Sequence, residues 1–178
     1  ALACGATGVQ IGTLFAFCAE SGLRDDFKSM VAEQCRAGTI QVFTDPVASP
    51  TGVPFKVLTL EGTTSEESVY KERARICDLG YLREYYEKAD GSVGSRCSAE
   101  PLEDWESKGG SVEDTAGRKC LCNCLAANIG QPQVRADGSV EPTMLTVGDD
   151  VSTIAQFEAG YTAADVVEFM LQHKATPS

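Results

Sequence analysis

The stretch Ala1 to Ala19 constrains the chain most, being almost wholly apolar yet interrupted by Gly5, Thr7, Gly8, Gln10 and Gly12. A membrane-spanning helix wants about 20 mainly apolar residues, and a signal peptide wants a basic lead-in. Neither pattern is met, so the stretch is expected to be buried in protein. Val9 and Ile11 alternate with Gln10 and Gly12, which predicts a short buried strand over Gly8 to Thr13. Ala1 to Cys4 read as the tail of a helix ended by Gly5, and the chain reads as one that starts in the middle of a fold.

Within 178 residues there is room for one domain or for one large piece of something bigger. Hydrophobic residues at 43% and charged residues at 23% support a normal core and argue against disorder, collagen or a coiled coil. The net charge of -11 repels phosphate backbones and anionic headgroups, which argues against nucleic-acid or membrane-surface partners. Eight cysteines fall well below the roughly 8 to 10% of a disulfide scaffold. Cys4, Cys18, Cys35 and Cys77 sit among apolar neighbours, where a free thiol acts as a small hydrophobe. A reducing cytoplasm is the expected compartment.

Further along, Ser21 is suited to cap a helix from Leu23 to Arg36, with Phe27, Met30, Val31 and Cys35 on one face and Gly38 as its stop. Thr39 to Phe43 and Val57 to Leu60 read as strands. The three prolines Pro46, Pro50 and Pro54 between them favour an extended loop laid over a surface. Ser65 to Ala89 is helical in composition, with Tyr70, Ala74, Cys77 and Tyr81 on one face and a break at Gly80. A short helix is expected around Pro101 to Glu106, a strand over Thr143 to Val147, a helix from Asp149 to Phe157, and a last helix from Ala163 to His173 capped by Thr162.

The segment Gly5 to Phe15 carries the clearest chemistry. A strand ending in Gly12-Thr13 and leading into a helix offers unobstructed backbone N–H groups and a hydroxyl, a combination suited to a nucleotide or flavin phosphate. The plainer reading is that Gly12 only permits a tight turn. Followed by Glu20-Ser21-Gly22, this segment resembles the eighth strand of the nitronate monooxygenase family, formerly 2-nitropropane dioxygenases, which are FMN-dependent barrel enzymes. The likeness continues through Leu23 to Arg36 and Thr44 to Gly52, and weakly through Gly148-Asp149-Asp150 and Tyr161 to Leu171. Its outline is shared with flavin-dependent enoyl reductases and IMP dehydrogenases.

The resemblance implies an α/β fold class: residues 1 to 60 as the last strand and helix of a (β/α)8 barrel, and residues 61 to 178 as a mainly helical accessory region, without a complete barrel. It implies FMN as cofactor, with Gln10, Gly12 and Thr13 on its phosphate. The family's catalytic histidine would lie outside this chain, so no catalytic residue is assigned and the chain alone is expected to be inactive. The implied activity of the whole protein is oxidation of an alkyl nitronate, a small-molecule substrate, with oxygen. An enoyl-thioester reductase and a non-catalytic accessory domain are the alternatives. Exposed strand edges favour association into a homo-oligomer.

Cys120-Leu121-Cys122-Asn123-Cys124, with Cys97, could gather thiolates for zinc or an iron–sulfur cluster, and Arg118 and Lys119 could favour redox chemistry. One intervening residue is poor zinc-knuckle spacing, so free thiols are the preferred reading and no metal ligand is assigned. His173, the only histidine, reads as a cation complementing a helix dipole. Trp105, Tyr81, Tyr85 and Tyr86 read as core or interface. The pairs Asp25-Asp26, Glu66-Glu67 and Asp149-Asp150 read as solvated faces or helix first turns.

Overall fold

A computed structural model of the chain describes residues 4 to 172. Among these residues it is mixed α/β, with two separate two-stranded antiparallel sheets and no closed barrel. Two compact units form. One comprises the residues up to Ile40 and from Val147 onward, and the other runs from Gln41 to Thr146. This is a division by packing, distinct from the division at residue 60 that the resemblance implies. No helix among the described residues is long and apolar enough to cross a membrane.

The first unit is helical. α1 (Thr13–Ala16) is a single turn, and α2 (Asp25–Ala37) is the main helix. Asp25 and Asp26 in its first turn and Arg36 in its last complement the helix dipole, while Phe27, Val31 and Cys35, four residues apart, form the buried stripe. Gly38 ends it at φ 67°, a left-handed conformation that lets Gly38 N and Thr39 N bond back to Cys35 O and Gln34 O. Ser21 does not cap this helix. Its hydroxyl donates to Ala16 O and accepts from Leu23 N, closing the preceding turn instead.

A 3-10 turn, Val151–Gln156, replaces the expected helix there and packs against α2, with Cys35 Sγ donating to Val151 O. α6 (Ala163–Gln172) starts on a reciprocal cap: Asp165 N donates to Thr162 Oγ1, and Thr162 N donates to Asp165 Oδ2. Val166 is its fully buried residue, whereas Val167 and Leu171 are exposed. Tyr161 Oη donates to Leu14 O at 2.7 Å, and the Phe157 ring lies between Tyr161 and Phe169. His173 and the helix tail expected over residues 1 to 3 lie outside the described residues.

The expected strand over Gly8 to Thr13 does not form. The segment is irregular and mostly exposed, with Val9 47% exposed. Both sheets among the described residues are complete hairpins elsewhere, and a strand without a neighbour has no ladder to hold it.

The second unit is built on hairpins and buried loops. β1 (Val42–Asp45) pairs with β2 (Phe55–Leu58). The proline-rich loop between them forms no helix or ladder, as expected, but it is a run of bends and turns rather than extended: Asp45 Oδ1 accepts from Val47 N and Ala48 N, Gly52 N donates to Ser49 O, and Arg118 Nη1 donates to Val47 O and Ser49 O. The strand expected over Thr143 to Val147 does not form; the segment makes single bonds rather than a ladder, accepting from Thr64 N at Thr143 O and from Leu58 N at Leu145 O.

The long helix expected over Ser65 to Ala89 is confined to α3 (Glu67–Glu72). The chain then turns irregular, and β3 (Glu84–Glu87) pairs with β4 (Val93–Arg96). The cause is local: Tyr85-Tyr86 favour a strand, and Gly91 at φ 79° with Asp90 Oδ1 accepting from Ser92 N makes the tight return. Tyr81 and Tyr85 are consequently exposed rather than core. Residues 61 to 172 are thus of mixed structure, not mainly helical.

α4 (Leu102–Ser107) forms where a short helix is expected, with Pro101 as its N-cap rather than in its first turn, and buries Trp105, whose indole N–H donates to Ser111 O at 2.7 Å. α5 (Cys122–Ala127) contributes Cys124 to a core cluster with Val57, Leu121 and Met144.

Gly110 lies against the Trp105 ring so closely that a Cβ there would stand 2.1 to 2.3 Å from ring atoms. Gly110→Ala should therefore destabilise the second unit by on the order of 3 kcal/mol, as overpacking of a filled core does. Gly22→Ala, where nothing lies within 4 Å, should be near neutral. Denaturation followed by the fluorescence of the single tryptophan, Trp105, checks both.

Candidate functional site

Gln10, Gly12 and Thr13 remain consecutive around the entry to α1. Gln10 is exposed, Gly12 is the N-cap residue, and Thr13 opens the helix. Ala16 N and Phe17 N bond to Gly12 O and Thr13 O, as in any first turn. The N–H groups of Thr13, Leu14 and Phe15 accordingly have no intrahelical acceptor.

A contact far apart in sequence completes this locus. Gly148 N donates to Thr13 Oγ1 at 2.8 Å, leaving the threonine hydroxyl hydrogen free to be given elsewhere. A Cβ at 148 would stand 2.5 Å from Asp150 Oδ1 and 3.0 Å from Thr13 Oγ1, so any other residue there would have to push the Asp150 carboxylate aside. The two segments that carry the family resemblance, Gly12-Thr13 and Gly148-Asp149-Asp150, thus meet in one unit. Sequence analysis marked both but had no signal for their contact. The Asp150 carboxylate also lies against Gly148, close to the Thr13 hydroxyl, and its charge works against a bound phosphate.

Elsewhere in the same unit a cleft of about 450 Å³ is bordered by Lys28, Arg36, Glu33 and Tyr161. Its cations are already engaged: Lys28 Nζ donates to Ala19 O and Ser21 O, and Arg36 Nη2 to Phe157 O. Burial raises the pKa of the Tyr161 hydroxyl, so it serves as a neutral donor.

The second unit holds a buried charge network that sequence analysis did not anticipate. Glu141, with a fully buried side chain, accepts from Arg73 on Oε1 and from Arg135 on Oε2, and both guanidinium side chains are more than nine-tenths buried. Burial pushes the Glu141 carboxyl up, and the two guanidinium groups oppose that shift. Arg73 also donates to Cys120 O and stacks over the Tyr70 ring, whose hydroxyl accepts from Cys120 N. Arg135 donates to Ala74 O.

All eight cysteines are free. Cys97 and Cys120 pack together with Ala99 in a buried cluster. Cys124 is separate from it, with no exposed surface and its thiol donating to Leu121 O at 3.0 Å.

No family model, no curated protein and no solved structure matches the chain.

Glu141→Gln removes the one carboxylate that offsets two buried guanidinium groups. Breaking such a network costs on the order of 3 kcal/mol. Chemical denaturation read at Trp105 should show that loss, whereas Glu84→Gln, which breaks the half-exposed pair with Arg96, should cost under about 1 kcal/mol.

Proposed function

We propose that this chain contributes part of the FMN phosphate site of a flavin-dependent oxidoreductase of the nitronate monooxygenase type. Under this proposal residues 1 to 60 are the end of the barrel, its last strand, helix and following loop, with the strand over Gly8 to Thr13 forming only beside neighbouring barrel strands, and the remainder is an accessory region. The observation that carries it is the entry to α1, where the N–H groups of Thr13, Leu14 and Phe15 lack intrahelical acceptors. The Thr13 hydroxyl, which accepts from Gly148 N, keeps its own proton to donate. Gln10 is exposed two residues before this turn and can add an amide donor.

FMN, when bound, supplies the two-electron chemistry by which an alkyl nitronate is oxidised and oxygen reduced. The residues of this chain would bind and orient its phosphate. Proton abstraction is assigned to a histidine elsewhere in the whole protein. Because ring contacts are also assigned elsewhere, binding by this chain alone is weak.

One observation favours the non-catalytic accessory reading. Asp150 Oδ1 stands near the Thr13 hydroxyl, and a carboxylate there repels a phosphate dianion.

The two readings separate in a flavin fluorescence titration of this chain. On the proposal FMN is bound in preference to riboflavin, Gln10→Ala weakens FMN, and Asp150→Asn tightens it by about three- to tenfold by removing the repulsion. Equal and undetectable binding of both flavins by wild type and by Asp150→Asn would sink the phosphate role. Oxygen consumption with an alkyl nitronate by the whole protein tests the activity, and its absence would refute the nitronate assignment.

A further inference from the structure

We propose that Cys77, Cys97, Cys120 and Cys122 together bind one zinc ion as four thiolates, a structural site that staples the hairpin-and-loop part of the second unit. The proposal is independent of the flavin reading.

Three separated stretches bring these residues to one locus. Cys97 directly follows β4 and packs with Cys120 in a buried cluster. Cys120 and Cys122 flank the start of α5, and Asn123 Nδ2 donates to Ile76 O at 2.8 Å, which ties the residue before Cys77 to the residue after Cys122. Arg83 Nη2 donates to Cys77 O at 2.6 Å, and Arg83 borders the same small cleft as Cys97. The elements that carry or flank the four cysteines are four to six residues long, too short to hold their relative positions by themselves.

The charge around the locus suits an anionic cluster. Four thiolates on Zn²⁺ carry a net charge of about -2 and need N–H donors around the sulfurs. Arg73 and Arg135 against Glu141 leave one buried positive charge in excess, and Arg73 is bonded to the Cys120 backbone. Arg83 lies beside Cys77. The Nε atoms of Arg73 and Arg83 are buried without an acceptor among the described residues.

Cys77, Cys120 and Cys122 all lie close enough to Cys97 to act on it electrostatically, and Cys77 likewise acts on Cys120. A divalent cation held among these sulfurs would deprotonate the ones it binds. The thiol side chains as they stand do not converge on one ion position among the described residues. Closure therefore accompanies binding: the four thiols release their protons to solvent, four Zn–S bonds form, and no redox change occurs. Cys124 is excluded because its thiol faces the core cluster and bonds to Leu121 O.

The test is metal content and affinity of the chain purified without chelator. About one zinc per chain is expected, and Co²⁺ should replace it with the absorption of a tetrahedral thiolate site. Cys97→Ser should weaken zinc by at least about tenfold, while Cys4→Ser, at an exposed cysteine, leaves it unchanged. Should Cys97→Ser fail to fold, Cys122→Ser at a half-buried position and alkylation of the wild type decide: four thiols should gain protection with zinc and lose it with chelator. The proposal is overturned by zinc affinity equal in wild type and Cys122→Ser, by alkylation insensitive to zinc, or by a mass two protons lighter per pair, marking disulfides among the four.

Discussion

The second unit depends on Glu141. Its carboxylate is a point at which segments otherwise joined by loops are compelled to meet, because two buried guanidinium groups need it. Arg73 brings in the stretch after α3, Arg135 the stretch before Glu141, and through the Cys120 carbonyl Arg73 also anchors the approach to α5. Tyr70 extends the same network, with its ring under Arg73 and its hydroxyl on Cys120 N. Burying such ions costs several kcal/mol each before their attraction is counted, so a network like this adds little net stability over an apolar core. Its effect is selective. Any packing that leaves one of the three charges unpaired is heavily penalised, and this holds together a unit whose regular elements are few and short.

The first unit is organised on a different principle, and that difference decides what can be read from the chain. Phe27, Val31 and Cys35 recur at the helical period, Asp25 and Asp26 precede them, and Gly38 follows, so periodicity, dipole and stop signal all agree on α2. Thr162 and Asp165 likewise mark the start of α6. Such elements are legible because every signal lies within one or two turns of the residue it fixes. The proline-rich loop was legible for a similar reason, since proline excludes ladder and helix without reference to the rest of the fold.

Misread elements share an opposite property. Val9 and Ile11 alternate as a strand should, but alternation states only which face would be buried and cannot supply a partner strand. Ser65 to Ala89 has the composition of a helix, yet Gly80 and Gly91 adopt positive φ, and Tyr85-Tyr86 find their partners on β4. Propensity is a weak term there, and cross-strand pairing outweighs it. Glu141 gave no warning at all. Beside Val140 and Pro142 it has the sequence character of an ordinary surface acid, and only the return of Arg73 and Arg135 explains its burial.

The candidate phosphate site shows the same limit on a smaller scale. Gly12 and Thr13 could be picked out because strand-to-helix turns with small residues have a recognisable local chemistry. Gly148 could not be assigned its role that way, since its lack of a Cβ matters only because Thr13 and Asp150 crowd it. The contact has two opposite consequences. It occupies a lone pair of the Thr13 hydroxyl and so commits that group to donating outward, and it also brings a carboxylate to the same place. Backbone N–H donors attract a phosphate through partial charges, whereas a carboxylate opposes it with a full one, so the Asp150 carboxylate weighs more on this locus than the glycine geometry that first drew notice to it.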